Sequence, residues 1–80
     1  MVNLEIDAFN LIFNAGDYVF YRPIRDNPKS ILYLLRMRAF RAMDGTPVVF
    51  LQGKRGYVAL ENIFVTRSQI IEAMRKGEIL

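Results

Sequence analysis

Apolar residues recur at helical intervals through the first 15 positions of the chain. In "LEIDAFNLIFNAGD", residues 4–17, they are spaced three and four apart, which places side chains on one side of an α-helix. They form two adjoining stripes: Leu4, Ala8, Leu11 and Ala15, and Ile6, Phe9, Ile12 and Phe13. Asn3 or Asp7 is a candidate N-cap, and Gly16 can end the helix in a left-handed conformation. We therefore predict a helix within residues 1–15. A strand is the alternative, because Ile and Phe also favour strands.

After Gly16 the pattern changes from helical spacing to alternation. The short aromatic stretch "DYVFYRPI" predicts a first strand that leaves the sheet at Pro23. From Ile31 to Ala39 apolar and other residues alternate, which predicts one long strand. The phase of this alternation slips between Ala39 and Phe40, where a β-bulge would bend the strand. A helix over 30–43 is the alternative, since Leu, Arg, Met and Ala all favour helices.

Two turn motifs organise the next part of the chain. "DGTP" and "GKRG" each separate two hydrophobic runs, and Asp-Gly in that position is a strong hairpin signal. The runs "PVVFLQ" and "YVALENIFV" are accordingly predicted to be strands, the second with a helical turn at 59–62.

The last segment carries a helix start signal. Thr66 followed three residues later by Gln69 forms a capping box, in which each side chain satisfies a backbone N–H of the other residue. The helix is predicted to run from Arg67 through Lys76 and to end at Gly77.

Two stretches together resemble the SH3-like small β-barrel superfamily over about residues 16–65. They are the opening "GDYVFY" at 16–21 and the closing "GYVALENIFV" at 56–65, separated by two hairpin loops. The resemblance implies an SH3-like antiparallel barrel of about five strands at 16–65. Together with the predicted N-terminal helix at 1–15 and the capped C-terminal helix at 66–77, this gives a single mainly-β domain over 1–80. The acidic loop, Tyr-rich opening and paired tryptophans of peptide-binding SH3 domains are missing, so recognition of proline-rich peptides is not expected.

Composition restricts the chemistry that the chain can perform. It has no Cys and no His, and so lacks the ligands of nearly all zinc, copper and iron sites. Neither a phosphate-binding loop nor an activated nucleophile is recognisable around the Ser and Thr residues. We therefore expect a non-enzymatic cytoplasmic binding protein without metal or cofactor, such as a regulatory or accessory factor of a bacterium or phage.

Charge is concentrated in the middle of the chain. Residues 22–55 hold eight Lys and Arg residues against two Asp residues, although the whole chain has a net charge of +3. Cations on the long strand and on the "GKRG" loop, with an aromatic ring available to stack on a base, predict a nucleic-acid-binding surface. Its candidate residues are Arg36, Arg38, Arg41, Lys54, Arg55 and Tyr57, with Phe40 as a second candidate for stacking. The alternative is that these cations only solvate the outer face of a half-buried strand.

A protein interface is the rival prediction. Hydrophobic residues make up 52% of the chain, which is rich for so small a domain and suggests an exposed apolar patch. The terminal helices would make contact in a homo-oligomer or with a protein partner, through Leu4, Phe9, Ile12 and Phe13 together with Ile79 and Leu80. Alternatively, both helices close the two ends of the barrel.

Overall fold

The computed structural model describes residues 1–24 and 26–78, which form two short helices and six strands. The helices are α1 (Ile6–Ile12) and α2 (Arg67–Glu78), and a 3₁₀ turn covers Leu60–Asn62. The strands are β1 (Tyr18–Tyr21), β2 (Ile31–Leu34), β3 (Phe40–Arg41), β4 (Pro47–Phe50), β5 (Tyr57–Ala59) and β6 (Ile63–Phe64).

The prediction of a closed five-stranded barrel was wrong. The strands form two antiparallel sheets of three strands each, in the orders β2-β1-β6 and β3-β4-β5. We call these the first and the second sheet. The long strand expected from Ile31 onward is divided between them, because β2 ends at Leu34 and β3 begins only at Phe40. The alternative of a helix over 30–43 is also wrong.

Asn10 of α1 provides a physical reason for this division. Its side-chain amide donates to the carbonyl oxygen of Ala39, and its side-chain oxygen accepts from the N–H of Ala39, both at 2.8 Å. The backbone groups of Ala39 are therefore satisfied by a helix side chain instead of a neighbouring strand. This is the position where the alternation of the sequence slips.

Helix α1 begins one turn into the predicted segment and uses an unexpected cap. The Glu5 carboxylate accepts from the N–H of Ala8 at 2.7 Å, the role that the sequence had suggested for Asn3 or Asp7. Asn3 instead donates to the carbonyl oxygens of Leu60 and Ile63, at 3.0 and 2.6 Å. The chain before α1 is thereby held against the 3₁₀ turn and β6.

Helix α2 has the predicted capping box. The Thr66 hydroxyl accepts from the N–H of Gln69 at 3.1 Å, and the Gln69 side chain accepts from the N–H of Thr66 at 2.7 Å. The Gln69 amide also donates to the carbonyl oxygen of Tyr18 at 3.0 Å, which ties α2 to the first sheet. The helix continues to Glu78, past the predicted stop at Gly77.

One apolar core is shared by the two sheets and α1. Its residues are Ile6, Phe9, Phe13, Val19, Leu35, Ala39, Val49, Leu51, Val58, Leu60, Ile63 and Val65. Each sheet therefore turns one face inward and leaves the other as an outer face, as alternation along a strand requires.

Candidate nucleic-acid interface

The loop between β4 and β5 is a tight turn that carries two cations. Gly53 and Gly56 have φ of 83° and 71°, which other residues adopt only with strain. The N–H of Lys54 donates to the carbonyl oxygen of Leu51 at 3.3 Å. Lys54 and Arg55 thus lie between two left-handed glycines, which fix the path of the loop.

The segment after β2 brings a third cation beside this loop. Leu35 and Leu51 form an isolated antiparallel bridge. The N–H of Arg36 donates to the carbonyl oxygen of Phe50 at 2.9 Å. Arg36, Lys54 and Arg55 then line one broad depression of about 570 Å³, together with Leu51, Gln52 and Gly53. We call this the basic depression, and its described lining includes no carboxylate.

Two of the three cations lie over aromatic rings. The guanidinium carbon of Arg36 is 5.6 Å from the centroid of the Phe50 ring, and the Lys54 ammonium nitrogen is 5.0 Å from that of Tyr21. Contacts of this kind contribute about 0.5–1 kcal/mol at exposed sites. They restrict where the two charges lie without neutralising them, so both remain available to an anion.

Three aromatic side chains occupy the outer face of the second sheet. Phe50 pairs directly with Tyr57, and Phe40 pairs with Val48, which lies on the same face of β4 as Phe50. The Phe40 and Phe50 rings are stacked with centroids 5.5 Å apart. Tyr57 meets Phe40 at 6.3 Å and Phe50 at 6.1 Å, close to perpendicular to both. We call Phe40, Phe50 and Tyr57 the ring cluster; Tyr57 is its most accessible member, with 54% of its surface exposed.

The other two predicted cations lie elsewhere. Arg38 donates to the carbonyl oxygen of Asn10 at 3.3 Å and so faces α1. Arg41 follows Phe40 on β3 and therefore points away from the ring cluster. It donates to the carbonyl oxygen of Gly45 at 3.1 Å and lines a separate cleft that also contains Glu5 and Glu61. The described structure brings together Arg36, Lys54, Arg55 and Tyr57, but neither Arg38 nor Arg41.

Two contributors to this surface were missed at the sequence level. Phe50 lies three residues before Gly53 in the strand that leads into the "GKRG" loop, and it is the cross-strand partner of Tyr57, the residue directly after that loop. Tyr21, which lies beneath Lys54, gave no comparable signal because 33 positions of sequence separate the two residues.

The predicted interface residues of the first helix are directed inward. Phe9 and Phe13 each have only 1% of their surface exposed, while Leu4 and Ile12 pack partly buried against the core. Phe9 and Phe13 are therefore inaccessible to a partner in this fold. Ile79 and Leu80 lie outside the described residues. On α2, by contrast, Ile71 and Met74 are 53% and 54% exposed.

Other kinds of site find little support in the described chain. Within residues 1–24 and 26–78 there is no group of three or more His, Cys, Asp or Glu side chains placed to hold a metal ion. Neither α1 nor the described part of α2 has the length and apolar character needed to cross a membrane.

Comparisons with protein-family models, with curated proteins and with solved structures find no match to this chain. The resemblance to the SH3-like superfamily therefore stays a prediction, separate from the closed barrel that it implied.

Proposed function

We propose that this protein binds nucleic acid through the basic depression and the adjoining ring cluster. The observation that carries the proposal is the position of Arg36, which lines the depression with Lys54 and Arg55 and also lies over Phe50 of the ring cluster. Cations for phosphates and rings for bases therefore occupy one continuous surface. That combination is typical of proteins that bind nucleic acid without reading a base sequence.

Binding proceeds by phosphate contact and release of counterions. Arg36 and Arg55 present planar guanidinium groups that can hold two phosphate oxygens at once, and Lys54 supplies a point charge. If all three cations contact phosphates, the logarithm of the affinity falls against the logarithm of salt concentration with a slope of about −2 to −3. Affinity is then moderate at low salt and weak at physiological salt.

A direct test is the titration of labelled DNA and RNA at two salt concentrations. The double variant Lys54→Ala with Arg55→Ala should lose most of the binding and reduce the salt slope by about two. A matched control is Arg67→Ala with Arg75→Ala, which removes the same charge from exposed positions on α2. No binding at low salt, or equal losses in both double variants, would show that the basic depression is not the site.

The alternative function is self-association through α2. The observation that favours it is the exposure of Ile71 and Met74, which lie on one side of the helix three residues apart. In this alternative a second copy covers these side chains and the cations are incidental. Light scattering of the wild type and of Ile71→Glu with Met74→Glu tests it: a wild-type oligomer that becomes a folded monomer supports the alternative, and a monomeric wild type removes it.

A further inference from the structure

The ring cluster has a geometry suited to unpaired bases. Tyr57 is half exposed, and its ring is held at 84° to Phe40 and 79° to Phe50, so that two partly buried rings fix its orientation. A side chain that is already ordered loses little conformational freedom when a ligand packs against it. Tyr57 can therefore serve as a fixed surface on which a base stacks.

Arg55 and Tyr57 are close enough along the chain for both to contact one nucleotide. Arg55 and Tyr57 are two residues apart, so their Cα atoms are separated by at most about 7 Å. A phosphate held by Arg55 and the base of the same or the next nucleotide can thus be contacted together. Arg36 extends the cationic side of this arrangement along the ring cluster.

Base pairing would prevent this mode of binding. In a duplex each base stacks on its neighbours, and its ring face is inaccessible except at the ends of the helix. Direct reading of a duplex instead requires an element that enters a groove, usually a helix or a two-stranded ribbon. The ring cluster lies on a sheet face, and the basic depression lies beside it at the loop between β4 and β5, so that an extended strand can lie flat across both.

We infer that the ligand is single-stranded nucleic acid, with a base stacked on Tyr57 and the neighbouring phosphates held by Arg36, Lys54 and Arg55. This inference rests on the proposed function and specifies its ligand. It predicts that the bases contribute to affinity in addition to the phosphates. Duplex nucleic acid of the same sequence should bind about tenfold more weakly, because it cannot offer a base for stacking.

The test compares three labelled probes at one low salt concentration: a single strand, the duplex of the same sequence, and a strand of equal length and charge whose bases have been removed. The single strand should bind about tenfold more tightly than either of the other two. Tyr57→Leu should reduce single-strand affinity about tenfold and leave the abasic strand unaffected, since it removes the ring but retains apolar bulk. Tyr57→Phe should retain single-strand binding.

Tyr18 provides a matched control on the other sheet. It is 55% exposed, as Tyr57 is 54% exposed, and it lies on the outer face of the first sheet. Tyr18→Leu should leave single-strand affinity unchanged. Equal affinity for all three probes, insensitive to Tyr57→Leu, overturns the inference while the proposed function stands. No binding of any probe overturns the proposed function, and the inference with it.

Discussion

The outer faces of the two sheets share aromatic side chains but differ in their charges. On the first sheet, Phe20 pairs with Phe64, and Arg22 lies 4.3 Å above the Phe64 ring. On the second sheet, Arg36 lies above Phe50 in a similar way. Aromatic content and a cation over a ring therefore do not distinguish the two surfaces.

The charged groups beside each surface do distinguish the two surfaces. Helix α2 lies beside the outer face of the first sheet and forms with it a groove of about 460 Å³, whose lining includes Asp17 and Glu72 as well as Lys76. Lys76 is 3.7 Å from the Asp17 carboxylate. The basic depression beside the second sheet is lined by three cations and, among the described residues, no carboxylate. We therefore expect a polyanion to bind the second surface in preference to the first, although the rings on both would suit a base.

Charge reversal at the basic depression should have the largest effect. Lys54→Glu with Arg55→Glu replaces attraction of a phosphate by repulsion, and we expect affinity for a single strand to fall about 100-fold or more at low salt. Arg75→Glu with Lys76→Glu applies the same change beside the first sheet and should lower affinity less than about threefold, through long-range charge alone. Anisotropy titrations of both double variants measure the difference. Similar losses would mean that net charge, not the surface, governs binding.

Asn10→Ala tests what separates the two sheets. The substitution leaves the N–H and carbonyl groups of Ala39 without their partner, and we expect a loss of about 1–3 kcal/mol in the free energy of unfolding. Asn14→Ala, at an exposed position after α1, should change it by less than about 0.5 kcal/mol. Urea denaturation measures both variants. If Asn10→Ala has the same free energy of unfolding as the wild type, β2 and β3 are kept apart by something other than this side chain.

Substitutions at two glycines in the turns of the second sheet distinguish an effect on stability from an effect on binding. Gly45 and Gly56 have φ of 88° and 71°, and an added Cβ at either position meets no atom within 4 Å. Gly45→Ala and Gly56→Ala should therefore each cost about 1 kcal/mol through backbone strain alone. Only Gly56→Ala should also weaken binding, by severalfold, because Gly56 orients the loop that carries Lys54 and Arg55. Equal affinities of the two variants would count against a fixed loop.

Lowering the pH should slightly reduce the stability of the turn between β3 and β4, at the other end of the second sheet. The N–H of Thr46 donates to the Asp44 carboxylate at 3.0 Å, and this bond, with a further one from the Thr46 side chain, lowers the pKa of Asp44 below its usual value of 3.8. Its stabilising contribution is present above that value and is lost as pH falls through the lower, folded-state pKa. Asp44→Asn should flatten this part of a stability profile recorded from pH 5 downward. If the stability profile of Asp44→Asn is the same as that of the wild type, Asp44 does not cause this pH dependence.

Local signals in the sequence predicted several elements correctly. The capping box of Thr66 and Gln69, the two hairpin turns and the helical turn before β6 depend on neighbouring residues, and all are present. The alternation around "GKRG" also placed Lys54, Arg55 and Tyr57 correctly on one hairpin.

Contacts between distant residues could not be read in the same way. Asn10 and Ala39 are 29 positions apart, and their contact accompanies the division of the predicted long strand into β2 and β3 in different sheets. That division in turn directs Arg38 toward α1 and leaves Arg36 alone beside the loop. Similarly, apolar residues on several sides of α1 indicated an interface. The surface that covers them is the core between the sheets, which residues from the whole chain form and which the local sequence does not reveal.

NMR titration of the isotope-labelled protein with a short single strand at low salt would show whether nucleic acid binds at the second sheet and not at the first. We expect the amide shifts to concentrate at Arg36 and at 50–57, with the ring protons of Tyr57 moved upfield by a stacked base. Shifts concentrated instead at Tyr18, Phe20 and Leu32, or along α2, would contradict it.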